Sequence, residues 1–163
     1  MIFSGPTLVT PLLTKFYEKL KEAKDIKVYR VLFVLLDGDA DDLTDAKSMI
    51  IKLSELPCSI IFIGIGPASF IRMPLLNNKN KLRNAQMKTT ERDIVQFVTF
   101  KEANNTNFKN VFRKIPEQMC AHLERTGYKT EYEIEKNATE AADKVRKIQQ
   151  AAEAKALREA QEE

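Results

Sequence analysis

Histidine occurs once in this chain of 163 residues, cysteine twice and glycine five times, and each scarcity closes off a class of chemistry. No catalytic triad or two-histidine metal site is expected from the one histidine, His122. Its place in an amphipathic stretch gives it a helical surface or core role. Cys58 and Cys120 show no metal-ligand spacing and both lie in apolar surroundings, so they read as reduced core thiols of an intracellular protein. Gly64-x-Gly66 lacks both the third glycine and the following helix of a dinucleotide fingerprint, and it reads as a turn at a strand end. No stretch approaches the ~20 apolar residues that span a bilayer. The N-terminus carries no basic region followed by an apolar block, so no secretory signal is expected. A net charge of +3 is too small to indicate nucleic acid. The basic stretch around Lys79, Lys81, Arg83 and Lys88 holds no interleaved aromatics for base stacking and reads as a solvated loop.

What is present is a soluble-type composition, 44% hydrophobic and 30% charged, in a chain long enough for one domain with a real core. It is organised around Val28–Asp42, VYRVLFVLLDGDADD. Val31 to Leu36 form an unbroken apolar run, short and rich in branched residues, which reads as a strand buried on both faces. The acid-rich stretch Asp37–Asp42 follows at the strand's carboxyl end, where open α/β sheets place their ligand sites.

Around this strand the chain alternates. Met1–Thr7 reads as a strand end and a Gly-Pro turn. Thr10-Pro11 reads as a helix start with Thr10 as N-cap, and Leu13, Phe16, Tyr17, Leu20 and Ala23 give a helix to about Lys24. Asp41 or Asp42 can cap a second helix with the stripe Leu43, Ala46, Ile50 and Leu53. Ser59–Gly66 is a second buried strand, and strand, helix and strand make a crossover unit. Phe70–Leu76 reads as a short helical turn, Asn77–Glu91 as a surface loop and Asp93–Phe100 as a third strand. A helix starting at Thr106 or Asn107 has the inner face Phe108, Val111, Phe112, Ile115, Met119 and Leu123. Pro116 must kink or divide it, and Gly127 stops it. From Glu131 to Glu163 there is no glycine, proline or (after Tyr132) aromatic residue, a strong helix-forming composition. Ile134, Ala138, Ala141, Val145, Ile148 and Ala152 form one thin apolar seam, which needs a partner surface; a solvated tail is the alternative.

Asp37, Asp39, Asp41 and Asp42 form the one dense carboxylate cluster. An EF-hand loop is rejected, because Asp42 stands where glycine is needed and Ser48 where glutamate is needed. Asp37-x-Asp39 after a strand is similar to the haloacid-dehalogenase phosphotransferases, with Asp37 as nucleophile and Asp39 as general acid. A solvated, helix-capping loop is the plainer reading.

Tyr29–Gly38 (YRVLFVLLDG), Leu56–Gly66 (LPCSIIFIGIG), Ala68-Ser69-Phe70 and Arg92–Phe100 (RDIVQFVTF), with a polar loop before RDIVQF and Lys114–Pro116 after it, resemble the von Willebrand factor A (vWA) domain of the copines. The match runs over roughly residues 4–125. The resemblance implies a parallel sheet flanked by helices and a metal-ion-dependent adhesion site fed by a DxSxS loop, a threonine loop and a late aspartate. Gly5-Pro6-Thr7 matches the threonine loop, which makes Thr7 a carried-over ligand. Asp37 matches the late aspartate, with Leu36 where threonine is usual. The DxSxS loop and the paired C2 domains have no counterpart here, so Thr7 and Asp37 are remnant positions not expected to hold Mg²⁺ tightly.

The expected fold is therefore α/β, a truncated vWA-like (Rossmann-like) three-layer unit with about three mainly parallel strands near residues 28–36, 59–65 and 94–99. Residues 1–127 make up this unit, and 128–163 a long helical extension. The family's strand order implies that Val28–Leu36 lacks a neighbour, leaving its edge and part of its apolar surface bare unless Met1–Phe3 or a partner covers them. The expected function is non-enzymatic: a structural or interaction subunit of a larger assembly, binding protein partners through Val31, Phe33 and Leu35 and through Ile134, Val145 and Ile148. It is expected to use no cofactor, nucleic acid or membrane insertion, and to be intracellular and cytoplasmic. The alternatives are a ligand-binding vWA module whose Mg²⁺ site another chain completes, and a phosphotransferase using Asp37 and Asp39.

Overall fold

The structure is a computed structural model that describes residues 5–23, 28–77, 81–127, 135–136, 138–140 and 142–150. The chain divides into two compact units, Met1–Arg125 and Thr126–Glu163.

Three apolar runs become three strands of one parallel sheet in the order β1-β2-β3: β1 Arg30–Leu36, β2 Cys58–Gly64 and β3 Val95–Thr99. The register sets Phe33 beside Ile61 and Val34 beside Phe62, and then Phe62 beside Phe97. Every residue of β2 is buried, as the middle strand of a parallel sheet requires. Because side chains alternate across a strand, the sheet has two apolar faces. On the first, Val34, Leu36, Ile60, Phe62, Val95 and Phe97 pack with Leu13 and Leu20 of α1 (Thr10–Glu22) and with Ala46, Ile50 and Leu53 of α2 (Leu43–Leu53). On the second, Ile61, Ile63 and Val98 pack with Ala103, Val111 and Ile115. The unit is α/β with helices on both faces, a Rossmann-like arrangement.

The ends of the elements depart from the sequence reading in instructive ways. Thr10 is the first helical residue of α1 rather than its cap. The cap position is Val9, which has no capping side chain, and the cap comes from elsewhere: Asp42 accepts from the Val9 N–H at 3.0 Å and the Thr10 N–H at 2.8 Å. Asp42 sits at the cap position of α2 but makes no side-chain bond to that helix, since its carboxylate is engaged with α1.

Past β3 the chain does not run extended to Thr106. Thr99 and Glu102 form a reciprocal capping box that starts α3 (Phe100–Asn105) at once. Asn107 and Phe108 then take left-handed backbone angles, followed by a 3₁₀ turn, Lys109–Phe112, and by α4 (Ile115–Thr126). Pro116 divides the region as expected, in the first turn of α4, and Gly127 follows the helix with φ +66°. The inner face differs from the expected one, however. Phe108, Phe112 and Met119 are exposed, while Lys114, Gln118 and His122 are buried together with Val111. Cys120 is likewise exposed and not a core thiol, because the stripe that faces inward, at 114, 118 and 122, lies two residues away from it on the helix.

A polar clasp explains that inversion. Arg92 is buried, and among the described residues no carboxylate pairs with it. Its guanidinium donates to the carbonyls of Leu56, of Cys58 at 2.9 Å and of Gln118 at 3.1 Å, and to the Tyr29 hydroxyl at 3.1 Å. Its carbon lies 5.6 Å from the Tyr29 ring centre. Asp93 pairs with Lys114 Nζ at 2.7 Å. Gln96 accepts from the Lys114 N–H at 3.2 Å and donates to the Asn110 carbonyl. Ser59 donates to Gln118 Oε1 at 2.7 Å. Each polar side chain of Arg92-Asp93-Ile94-Val95-Gln96 thus reaches the segment from Asn110 to Gln118. The motif fastens α4 to the sheet.

In the second unit, residues 135, 136, 138–140 and 142–150 are helical, in agreement with the helix-forming composition. Ile134, Ala141 and Ala152 of the expected seam lie outside the described residues, as do Met1–Phe3.

Arg92→Ala removes four hydrogen bonds from the buried clasp, each worth about 0.5–1.5 kcal/mol net, while the Leu56 carbonyl keeps the Cys58 N–H and the Cys58 carbonyl keeps the Tyr29 hydroxyl. The substitution is expected to lower unfolding free energy by about 3 kcal/mol or more in urea titration, whereas Arg125→Ala, at an exposed position, should change it by less than about 1 kcal/mol.

Candidate functional site

Two places carry the sequence-level candidates: the acidic loop after β1 and the outer surface of β1 itself. The loop turns at Asp37-Gly38 and is anchored by Ala40, which is fully buried. Beyond it, the carboxylates reach three separate stretches of chain. Asp39 accepts from the N–H groups of Ile71 at 2.9 Å, Arg72 at 2.9 Å and Met73 at 3.0 Å, which caps the 3₁₀ turn Met73–Leu76. Its Oδ2 also lies 3.8 Å from Arg72 Nε. Asp41 accepts from the Thr7 N–H at 2.8 Å while its own N–H donates to the Thr7 carbonyl at 2.9 Å. Asp42 caps α1. Burial works against ionisation of Asp39 and Asp42, but the backbone N–H groups outweigh it and hold both carboxyls below the ordinary value of 3.8.

Asp37 is different: it is exposed at the carboxyl end of β1. Thr7 is brought to the same loop by its backbone pairing with Asp41, so the two positions expected as adhesion-site ligands lie at the same loop. They do not fit a divalent cation on their own. Among the described residues no group of three or more His, Cys, Asp or Glu is placed to hold a metal ion, and three of the four loop aspartates already accept backbone N–H groups. Asp39, kept ionised by those N–H groups, is poorly suited to donate a proton as a general acid at neutral pH.

The outer surface of β1 is the second place. β1 is an edge strand, and among the described residues no strand pairs along its far side. Its apolar run is not buried on both faces as expected. Val34 and Leu36 are in the core, but on the other face Phe33 is 46% exposed and Leu35 64% exposed. Val31, nearer the start of the strand, is half-buried against the second core cluster. The physical reason lies in coverage. Val111 of the 3₁₀ turn Lys109–Phe112 and Ile115 at the start of α4 pack with Ile61, Ile63 and Val98 of β2 and β3 on this face, while Phe33 is met by Phe112. The two rings lie 5.9 Å apart between centres, inclined by 66°.

The structure therefore groups Val31, Phe33 and Leu35 on one face of one edge strand. Val145 and Ile148, in the second unit, are exposed three residues apart on a helix, and Ile134 lies outside the described residues. Sequence reasoning missed Phe112, Phe108 and Phe100, placing the first two inside a helix that the structure breaks. Thr99-x-x-Glu102 followed by the Asn104–Asn107 stretch was the available signal for a short capped helix and a break.

The remaining chemistry-bearing side chains are structural. Burial, offset in part by Arg92, pushes the Cys58 thiol up to about 12. Burial, with Arg92 and Arg125 nearby, lowers His122, whose ring packs edge-on against Tyr29 at 6.2 Å. No helix among the described residues is long and apolar enough to cross a membrane.

Compared with known protein families, the chain matches the model described as Copine over residues 1–131, the whole of the α/β unit.

The capped loop makes stability depend on pH in a definite sense. Asp39 and Asp42 are depressed in the folded chain, so their contribution is fully present above the unfolded value near 3.8. It is lost as pH falls through that value toward the lower folded ones. Urea titrations from pH 6 to pH 3 are expected to show stability falling with pH, and Asp39→Asn/Asp42→Asn should flatten that fall. At neutral pH Asp42→Ala should cost about 1–2 kcal/mol as a lost cap.

Proposed function

We propose that this chain, which belongs to the copine family, works as a non-enzymatic interaction subunit that is built into a larger protein assembly through the open edge of its sheet. The observation that carries this reading is the outer face of β1. Phe33 and Leu35 stand exposed on a strand whose backbone donors and acceptors on the far side have no strand partner among the described residues. An edge of this kind is a template for another chain, and the family's vWA-like character supports a role in binding proteins. The exposed seam residues Val145 and Ile148 offer a second, helical attachment. A location inside the cell fits the two free cysteines, Cys58 and Cys120, and cytoplasmic residence is part of this proposal.

The acidic loop supports the same reading by a different route. Three of its four carboxylates accept backbone N–H groups, which leaves Asp37 and Thr7 without enough co-ligands, so these adhesion-site positions are read as a degenerate site rather than a working one. A phosphotransferase would need Asp39 as a proton donor, against the backbone donors that keep it ionised. One observation favours a second reading, a vWA module completed by another chain: Asp37 is exposed at the carboxyl end of the sheet and open to a metal whose other ligands come from that chain.

Two measurements test these readings. The native mass of the chain is expected to exceed that of a monomer, and Leu35→Asp should weaken assembly at least tenfold with an unchanged circular dichroism spectrum. A soluble monomer at high concentration, with amides of residues 31–36 exchanging rapidly, would overturn the interaction reading. Calorimetric titration of the isolated chain with Mg²⁺ is expected to show no sub-micromolar site, and one abolished by Asp37→Ala would overturn the degenerate-site reading.

A further inference from the structure

The exposed rings near β1 continue beyond the edge strand. Phe112, paired with Phe33, ends the 3₁₀ turn that Phe108 begins, and Phe108 in turn meets Phe100 at 5.9 Å between centres, inclined by 68°. Phe33 with Phe112, and Phe108 with Phe100, each ring between 40% and 51% exposed, make two ring pairs, one at the edge of the sheet and one past β3, and the 3₁₀ turn Lys109–Phe112 links them into an interrupted stripe. Its charge is of one sign. Phe100, Phe108 and Phe112 are each followed by an exposed cation: Lys101, Lys109 and Arg113. Glu102 is the one acid from Phe100 to Arg113, and its carboxylate is engaged with the Thr99 N–H and hydroxyl, both at 2.9 Å. Beside the stripe, Lys109 and Arg113 line a shallow hollow of about 580 Å³ with Asn105, Thr106, Asn107 and Asn110, and no carboxylate lines it.

We propose that this surface receives an acidic, apolar extended segment of a partner protein, laid alongside β1 with its apolar side chains on Phe33, Leu35 and Phe112 and its carboxylates toward Lys109 and Arg113. The proposal rests on the interaction reading above and adds the chemistry of the partner. Each part of the surface selects against other occupants. An anionic membrane would suit rings and cations, but it cannot satisfy the unpaired backbone along β1, and lipid-exposed sheet edges are not tolerated. A nucleic acid strand needs open ring faces for stacking, whereas these rings are committed to each other edge to face. A polypeptide supplies both the backbone partners and the apolar contacts. Arg113 also lines a second hollow with Asp93 and Glu117, but the excess of Lys101, Lys109 and Arg113 over acids on this surface makes an acidic segment the better fit.

The full chain can be panned against a phage-displayed library of random 12-residue peptides. Lys109→Glu/Arg113→Glu serves as the charge-reversed comparison, because both positions are exposed and outside the polar clasp. Peptides selected by the unmodified chain are expected to be rich in Asp and Glu alternating with apolar residues. A selected peptide should bind the charge-reversed chain at least tenfold more weakly, and Leu35→Asp should lose binding. Selection without acidic bias, or binding indifferent to charge reversal, overturns this proposal while leaving the interaction reading in place. No selection by a chain that is also monomeric overturns both. Co-sedimentation with phosphatidylserine vesicles that is lost on charge reversal, without acidic peptide selection, assigns the surface to a membrane and overturns the proposal.

Discussion

A buried guanidinium that pairs with no carboxylate among the described residues governs the α/β unit. An isolated charge is expensive to remove from water, and Arg92 is tolerated because carbonyls of the Leu56–Cys58 turn and of α4 converge on it together with the Tyr29 hydroxyl. Those acceptors come from the approach to β1, the start of β2 and the last helix. Satisfying one side chain therefore fixes the positions of three elements. It also dictates which face of α4 turns inward: Gln118, His122 and Lys114 complete the polar interior, and the large apolar residues of the same region are turned out. The exposed rings around β1 are the other side of that arrangement.

The strands, their order of appearance and their parallel character were legible in the sequence, because short unbroken apolar runs separated by amphipathic segments have few other solutions. The register of α4 was not. Periodicity assigns the inner face to apolar residues, and a helix held by Arg92, Asp93 and Gln96 breaks that assumption with polar pairs distant in sequence, such as Ser59 and Gln118, 59 residues apart. The candidate site was legible only in outline. The alternation of Phe33 and Leu35 with Val34 and Leu36 shows which residues share a face, but whether that face is covered depends on how far the 3₁₀ turn and α4 extend across the sheet. That coverage is a tertiary property.

The acidic loop shows how capping can look like catalysis. A dense run of aspartates at the carboxyl end of a parallel strand is where ligand chemistry is sought, and the family's adhesion site makes the search reasonable. In this chain Asp39, Asp41 and Asp42 spend their lone pairs on N–H groups of residues 7, 9, 10 and 71–73. The loop is a hub joining segments distant in sequence, and Asp37 is the member left over.

That hub bears on how the chain acquires its shape in time. A helix of 13 residues such as α1 is marginal in isolation, and its N-terminal donors have no local acceptor. They wait for Asp42, 32 residues downstream of Thr10. During synthesis α1 leaves the ribosome well before its cap exists, and the turn at Met73 is made later still. Stable helix and closed loop thus arrive together, once strand β1 has delivered the aspartates. The first helix in the sequence is not the first whose cap is available.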